Sequence, residues 1–368
     1  MPGLLMASVL MLALLGTTAR AAVVPEVSSR TAPSSAYQPA ERPTLTARAS
    51  FAVDITAGVE LWAQEADRPL PPASTTKLMT ALVVRRWLRP DESITIRSDD
   101  LVDPAVYANA GFQPGDRVTV TDLLAAMLIA SAGDAALALA RVAGERIDPE
   151  HDVPRAAFID AMNQEAARLG LRHSWFATPD GRDVPGQTVS ARDLAIITAA
   201  VLGDPLLAEL VATRTREIEI AGPQSRRITV VNTNQFLTEP DALGVKTGTS
   251  VAAGQCLVAA VRRGNDIVVL VLLSSRDRYA DARALLTYLD RQYRWFTLDG
   301  RSFAELARLA REGIVPALVP TVVVANETAD QVRVIIDRQH SSADVVGTVR
   351  LRIGTSDLFI VPLLRVER

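Results

Sequence analysis

Apolar positions along this chain change their period several times, and each change marks an element. Ala49 to Val53 and Gly58 to Trp62 are short β-forming runs separated by the turn-prone Asp54 to Ala57, which predicts a hairpin. From Ser74 to Leu88 the period becomes helical, with Leu78, Met79, Leu82, Val83 and Trp87 on one face until Pro90 stops it. The same spacing predicts helices over Val120 to Ala143, opened by Thr121 and Asp122, over Ala156 to Leu169 and over Ala191 to Leu202. Strands return at Ile228 to Val231, Cys256 to Arg262 and Ile267 to Ser274, the last two joined by a tight turn at Arg263-Gly264-Asn265. A closing helix is expected over Asp281 to Tyr293.

The ends of the chain follow other patterns. Residues 1–21 read as a signal peptide: an apolar run from Leu4 to Leu15, then the small-x-small pattern Ala19-Arg20-Ala21. Residues 22–46 are rich in Pro, Ser, Thr and Ala and predict a flexible leader. Beyond residue 297 a short helix, Ser302 to Arg311, precedes strand-like runs at Val319 to Ala325, Gln331 to Ile336, Thr348 to Ile353 and Leu358 to Leu363. The expected order is therefore a mixed α/β (α+β) domain over 47–296, then a small β-rich domain over 297–368.

Composition narrows the function classes. With 368 residues, 48% of them hydrophobic, the chain can bury a large core. Its 39 basic residues against 42 acidic ones give a formal charge of −3, which offers no basic field to nucleic acid. Cys256 is the single cysteine, so the chain closes no internal disulfide and builds no paired-cysteine zinc site. No later stretch holds 18 uninterrupted apolar residues, and Pro362 in Phe359 to Arg368 argues against a C-terminal amphipathic membrane anchor. A soluble protein, periplasmic or secreted, is expected, with membrane association only if the N-terminal segment stays uncleaved.

Candidate chemistry begins at Ser74-Thr75-Thr76-Lys77, just after Pro71-Pro72-Ala73. A serine at a helix start with a lysine three residues on places an amine beside a hydroxyl, on one face. An ordinary lysine is protonated at neutral pH, so burial or a second cation must lower its affinity for the proton before it can act as a base. Alone, Ser-x-x-Lys arises by chance about once or twice in a chain this long. Lys246-Thr247-Gly248, ahead of an apolar run, changes that judgement, because the two motifs together form the signature of penicillin-recognising serine enzymes.

Further blocks make the likeness specific. Leu70 to Thr80, Gly115 to Val120 with Leu123-Leu124, Phe158 to Leu169, Ser190 to Leu194, Asn232 to Asn234 and Gly244 to Thr249 ahead of Ala253-Gly254 occur in order. Across about residues 49–296 the chain resembles the low-molecular-mass penicillin-binding D-alanyl-D-alanine carboxypeptidases. The resemblance implies a two-lobed catalytic domain, an antiparallel sheet flanked by helices facing a helical lobe, with the site between them. It makes Ser74 the nucleophile, Lys77 its base and Ser131 the proton relay to the leaving amine. Lys246, Thr247, Thr249 and Arg278 become substrate-binding residues, with Arg276 as an alternative to Arg278, and the backbone N–H groups of Ser74 and Thr249 form the oxyanion hole. The implied partners are a peptidoglycan pentapeptide and, as covalent inhibitors, β-lactams; no metal or organic cofactor is required. One position departs from the pattern. Ser131-Ala132-Gly133 stands for the family's Ser-x-Asn, so the asparagine amide is replaced by hydrogen, which points to an alternative reading as a weakly turning-over binding protein.

Other hydrolytic schemes fit less well. A Ser-His-Asp enzyme would have to use His151, His173 or His340, and no Gly-x-Ser-x-Gly elbow occurs. No His-Glu-x-x-His cluster is present for metal hydrolysis. Cys256 sits in an apolar run and reads as core. A class A β-lactamase needs a deacylating glutamate in Glu-x-x-Leu-Asn, and the segment from Glu165 to Gly170 misses it.

Overall fold

A computed structural model of the chain describes residues 41–338 and 344–366. The predicted signal peptide, residues 22–40 of the predicted leader and His340 lie outside the described residues.

The chain opens with the hairpin β1 (Ala49–Asp54) and β2 (Val59–Gln64), then a 3-10 turn, Ala73–Thr76, running into α1 (Lys77–Trp87). A small ribbon, β3 (Ser93–Thr95) with β4 (Arg117–Thr119), precedes α2 (Val120–Ile129), α3 (Gly133–Ile147), α4 (Pro154–Arg168), α5 (Ala191–Gly203) and α6 (Pro205–Ala212). A second ribbon joins β5 (Thr215–Ile220) to β6 (Arg226–Val231). The chain then returns through β7 (Ala242–Ser250), β8 (Gly254–Arg263), β9 (Asp266–Ser275) and α7 (Arg278–Gln292). The main sheet is antiparallel in the order β2-β1-β9-β8-β7, so the two chain-distant ends of this region pair along β1 and β9.

The apolar runs of β8 and β9 are explained by burial on both faces. Cys256, Val258, Ala260, Val269, Val271 and Leu273 face a core shared with α1 to α6. Their neighbours Leu257, Ala259, Val261, Val268, Leu270 and Leu272 face a second core capped by Trp62, Phe236 and the Leu285 and Leu289 side of α7. Strict alternation along each strand thus feeds two cores, while the sum of both reads in sequence as one continuous hydrophobic stretch.

The structure corrects three expectations. The helix predicted over Val120 to Ala143 is two helices, broken at Ser131, whose φ of 64° lies in the left-handed region. Propensity favours continuity here, but tertiary hydrogen bonds override it. Gly133 N–H donates to Ala108 O at 2.7 Å, and the Asp134 carboxylate accepts from Ala110 N at 3.0 Å and Ala135 N at 2.8 Å. Secondly, the predicted leader is packed at its end: Leu45 is buried, and the Thr46 backbone and hydroxyl both donate to the Asp281 carboxylate. Thirdly, the expected boundary at 296/297 falls inside a strand. β10 (Tyr293–Thr297) continues from α7 and pairs with β12 (Thr321–Ala325), so its first half packs on the second core and Phe296 on a third.

That third core is closed by α8 (Ala304–Arg311) and by the sheet β11 (Ile314–Pro316), β15 (Ser356–Arg365), β14 (Val345–Ile353) and β13 (Val332–Asp337). This C-terminal region meets the main sheet at the β8–β9 turn: Trp295 Nε1 donates to Asp54 Oδ2 at 2.8 Å and Asn265 Nδ2 to Val319 O at 3.0 Å. Ten residues of β8 separate that turn from the β7–β8 turn, about 30 Å. Among the described residues no single helix is long and apolar enough to cross a membrane.

Candidate active site

Three chain segments converge where the sheet edge meets the helical lobe. The first is the 3-10 turn that carries Ser74. Lys77 follows at the first position of α1, where its Nζ lies 2.9 Å from Ser74 Oγ and donates to Asp180 O at 2.5 Å. Ser74 is half-buried and Lys77 is 2% exposed. Burial penalises the ammonium and lowers its pKa from 10.5 to about 8, against the opposing pull of Asp180 and Asp134 and with help from Arg182.

The second segment is the break between α2 and α3. The left-handed turn at Ser131 lifts its hydroxyl out of the helical path, and Lys246 Nζ donates to Ser131 Oγ at 2.9 Å. Ser74 in the 3-10 turn and Gly133 at the start of α3 thus border one cleft.

The third segment is β7, the edge strand, which carries Lys246, Thr247, Gly248 and Thr249 in consecutive positions. Lys246 is 1% exposed, and burial together with the charges of Lys77 and Arg278 holds its pKa well below the usual lysine range. Thr247 Oγ1 shares a 2.7 Å hydrogen bond with Thr233 Oγ1. Gly248 sits in close contact: a Cβ there would lie 3.0 Å from Pro72 O and 3.1 Å from Ser74 N, so a side chain would push the strand and the nucleophile turn apart by a few tenths of an ångström.

Ser74, Lys77, Ser131, Thr247 and Thr249 line one cleft of about 450 Å³. Lys246 does not line the cleft itself but donates to Ser131, which does. Arg278, at the first position of α7, is 8% exposed, and its guanidinium is largely committed to the protein. It donates to Gly248 O and Cys256 O, both at 2.9 Å, to Gln255 Oε1 at 3.2 Å and to the Thr249 hydroxyl. It therefore ties β7 to β8 and fixes the Thr249 hydroxyl, a second task beside the one expected from sequence. Arg276 and Arg278 both line an adjoining hollow that shares Thr233, Thr247 and Thr249 with the cleft.

Sequence reasoning missed the loop from Asp180 to Asp183, which lines the same cleft. Its signal was Gly181: a Cβ there would lie 2.0 Å from Ala73 O, and its φ of +82° is left-handed. Gly133 lies in the cleft wall, and no Asn or Gln is among the described residues that line the cleft. The neighbouring Asn109 spends its side chain locally, donating to Tyr107 O at 3.1 Å and accepting from Gly111 N at 3.1 Å.

The rival groups sit elsewhere. Glu165 on α4 is buried and paired with Arg86 and Arg168. His151 is half-buried outside the cleft, accepting from Val153 N at 2.9 Å. Cys256 is fully buried, which pushes its thiol up to about 11.

A helical lobe against an antiparallel sheet, with a Ser–Lys pair, a second serine and a buried lysine between them, defines the fold class of the penicillin-binding DD-peptidases. Comparison with known proteins agrees. A profile of the family described as D-alanyl-D-alanine carboxypeptidase matches residues 36–277. The D-alanyl-D-alanine carboxypeptidase DacC of Escherichia coli (strain K12) is 34% identical over 268 residues, covering 69% of this chain and 63% of that protein. The D-alanyl-D-alanine carboxypeptidase of Streptomyces sp. (strain K15) is 32% identical over 258 residues, 67% of this chain and 88% of that one. The crystal structure of the Streptomyces K15 DD-transpeptidase superposes with a TM-score of 0.64 at 31% identity, over 68% of this chain and 99% of that chain. Penicillin binding protein 6B from Escherichia coli matches in fold over 89% of this chain and 98% of its own, with a TM-score of 0.66 at 24% identity. The chain belongs to the D-alanyl-D-alanine carboxypeptidase family.

Proposed function

We propose that the protein is a serine-type D-alanyl-D-alanine carboxypeptidase that removes the terminal D-alanine from peptidoglycan pentapeptides and is acylated by β-lactams. The observation that carries this reading is the 2.9 Å contact between Ser74 Oγ and a buried lysine amine whose pKa is drawn down to about 8. Lys77 in its neutral form takes the hydroxyl proton as Ser74 attacks the carbonyl between the two D-alanines. The N–H groups of Ser74 and Thr249 receive the oxyanion. The proton taken by Lys77 reaches the leaving amine through Ser131, which is in contact with Lys246 and gives up its own hydroxyl proton as it receives another, so that Lys77 is neutral again. Lys77 then takes a proton from the water that attacks the ester and returns it to Ser74 as the acid leaves. Thr247 and Thr249 bind the terminal carboxylate. Its arrival beside Lys246 favours the protonated amine, because an opposite charge offsets the burial. Arg278 supports that end of the cleft by holding the Thr249 hydroxyl. The scheme uses side chains, backbone N–H groups and water, with no metal or organic cofactor. Export to the periplasm or medium follows from the apolar leader and from a substrate that lies outside the cytoplasm.

Intact mass spectrometry after incubation with benzylpenicillin tests the nucleophile. One adduct on the native chain and none on Ser74→Ala is expected; an equal adduct on the variant, or none on the native chain, would overturn the assignment.

Gly133 favours a second reading in which acylation outruns turnover. The missing amide removes one hydrogen bond near the reacting groups, about 1–3 kcal/mol. Acylation by penicillin with D-alanine release from a pentapeptide at the level of a no-enzyme control would select this reading.

A further inference from the structure

We propose that Arg182 is a positioning residue for the Lys77 base: it holds the Asp180 carboxylate, so that Asp180 offers Lys77 its backbone carbonyl and not its charge. The inference rests on the reading of Ser74 as nucleophile and Lys77 as its base.

The place of Asp180 creates the need. The residue is 4% exposed, and its carbonyl oxygen accepts from Lys77 Nζ at 2.5 Å. A buried carboxylate requires a partner of opposite charge, and an amine already bonded to the same residue is at hand. An ion pair formed between them would hold Lys77 as an ammonium ion, which has no lone pair to take the Ser74 proton.

The segment Asp180-Gly181-Arg182 meets this need locally. Gly181 is left-handed, with φ +82°, and a Cβ on it would lie 2.0 Å from Ala73 O, so a tight turn packs directly on the residue before the nucleophile. Across that turn Arg182 comes back onto Asp180: Nε and Nη2 donate to Oδ2 at 3.0 and 2.9 Å. Among the described residues Arg182 is the cation paired with this carboxylate. Its own position is fixed twice over, by the Tyr107 ring, 5.3 Å from the guanidinium carbon, and by Gln187 Nε2, which donates to Arg182 O at 3.0 Å. The Lys77 amine is left with Ser74 Oγ and Asp180 O as its partners among the described residues.

The other charges that face Lys77 are engaged elsewhere. Asp134 of α3 accepts from Ala110 N at 3.0 Å and Ala135 N at 2.8 Å, and Lys246 of β7 donates to Ser131 Oγ at 2.9 Å. Burial is the largest influence on the Lys77 amine and lowers its pKa; Asp180 is the largest opposing one. Arg182 therefore covers the single charge with most power to undo the base. A two-point guanidinium contact does this better than a lysine could, because it fixes the carboxylate in direction as well as in charge.

Acylation of the full chain by benzylpenicillin, followed by stopped flow from about pH 6 to about pH 10, tests the proposal. Arg182→Gln should move the midpoint of the rising limb upward by about one pH unit, which is about tenfold in rate at neutral pH. Well above both midpoints the variant and native rates should converge. Adding Asp180→Asn to that variant removes the charge and keeps the carbonyl, and should bring the midpoint back toward the native one. Arg182→Lys, which keeps the charge and loses the fork, should lie between. A loss of rate in Arg182→Gln that is equal at every pH would overturn the proposal, because a purely structural role moves the rate and not the midpoint. So would a double variant whose midpoint stays as high as that of Arg182→Gln, since the charge of Asp180 would then not be what Arg182 covers. A native chain that takes no adduct at any pH would sink the Ser74 reading itself and this inference with it.

Discussion

Lys77 carries the sharpest consequence at the scale of single residues. A lysine base works only in its neutral form, and burial brings its pKa down to about 8. Acylation by a penicillin should therefore rise with pH along a limb whose midpoint lies about 8, because the neutral fraction grows as pH climbs through that value. Stopped-flow acylation rates across the range check this, and a flat profile would remove Lys77 from the role of base. The environment responsible was not legible in the sequence. Asp180, whose carbonyl meets the Lys77 amine, lies more than a hundred residues along the chain in a loop with no recognised motif. Only folding sets it there.

At the scale of elements, β7 and the nucleophile turn behave as one unit. Gly248 is the contact point, since a Cβ would meet Pro72 O, Ala73 Cβ and Ser74 N at 3.0–3.1 Å, and backbone atoms do not yield cheaply. Gly248→Ala should therefore push the strand outward and slow acylation by about 10- to 100-fold while circular dichroism stays native. Unchanged acylation would show that the strand can move freely. The Ser131 break is the complementary lesson. Sequence periodicity from Val120 to Ala143 is helical throughout, because Leu123, Leu124, Met127 and Leu128 and then Ala135, Ala136 and Leu139 all meet one core. The break came from bonds to the loop around Ala108 and Ala110, which no local pattern encodes.

At the scale of the whole molecule, a pair of buried acids marks the junction between the main sheet and the C-terminal region. Asp266, 2% exposed with Oδ2 lacking a partner, is raised to about 7 by burial and then by the neighbouring Asp54, which also accepts from Trp295 of β10. A carboxyl raised in the folded state favours folding while protonated. That contribution is complete below the ordinary value of 3.8 and is lost as pH rises through about 7. Asp266→Asn mimics the protonated acid and should raise the melting temperature above about pH 7 by about 2–4 °C, with little change in mild acid. Thermal melts across that range decide it: an equal shift at every pH would mean that Asp266 is not the titrating group.

The sequence by itself determined the alternation of helix and strand, the Ser-x-x-Lys and Lys-Thr-Gly pairs, and the family, because period, caps and motif spacing are local properties of the chain. Tertiary structure alone decided that β8 and β9 divide their apolar residues between two cores, that Ser131 leaves its helix, that Arg278 holds the strand edge, and that Asp180 to Asp183 close the cleft. Each of those depends on contacts between segments distant in sequence, where hydrogen bonds, burial and close backbone approach outweigh local preference.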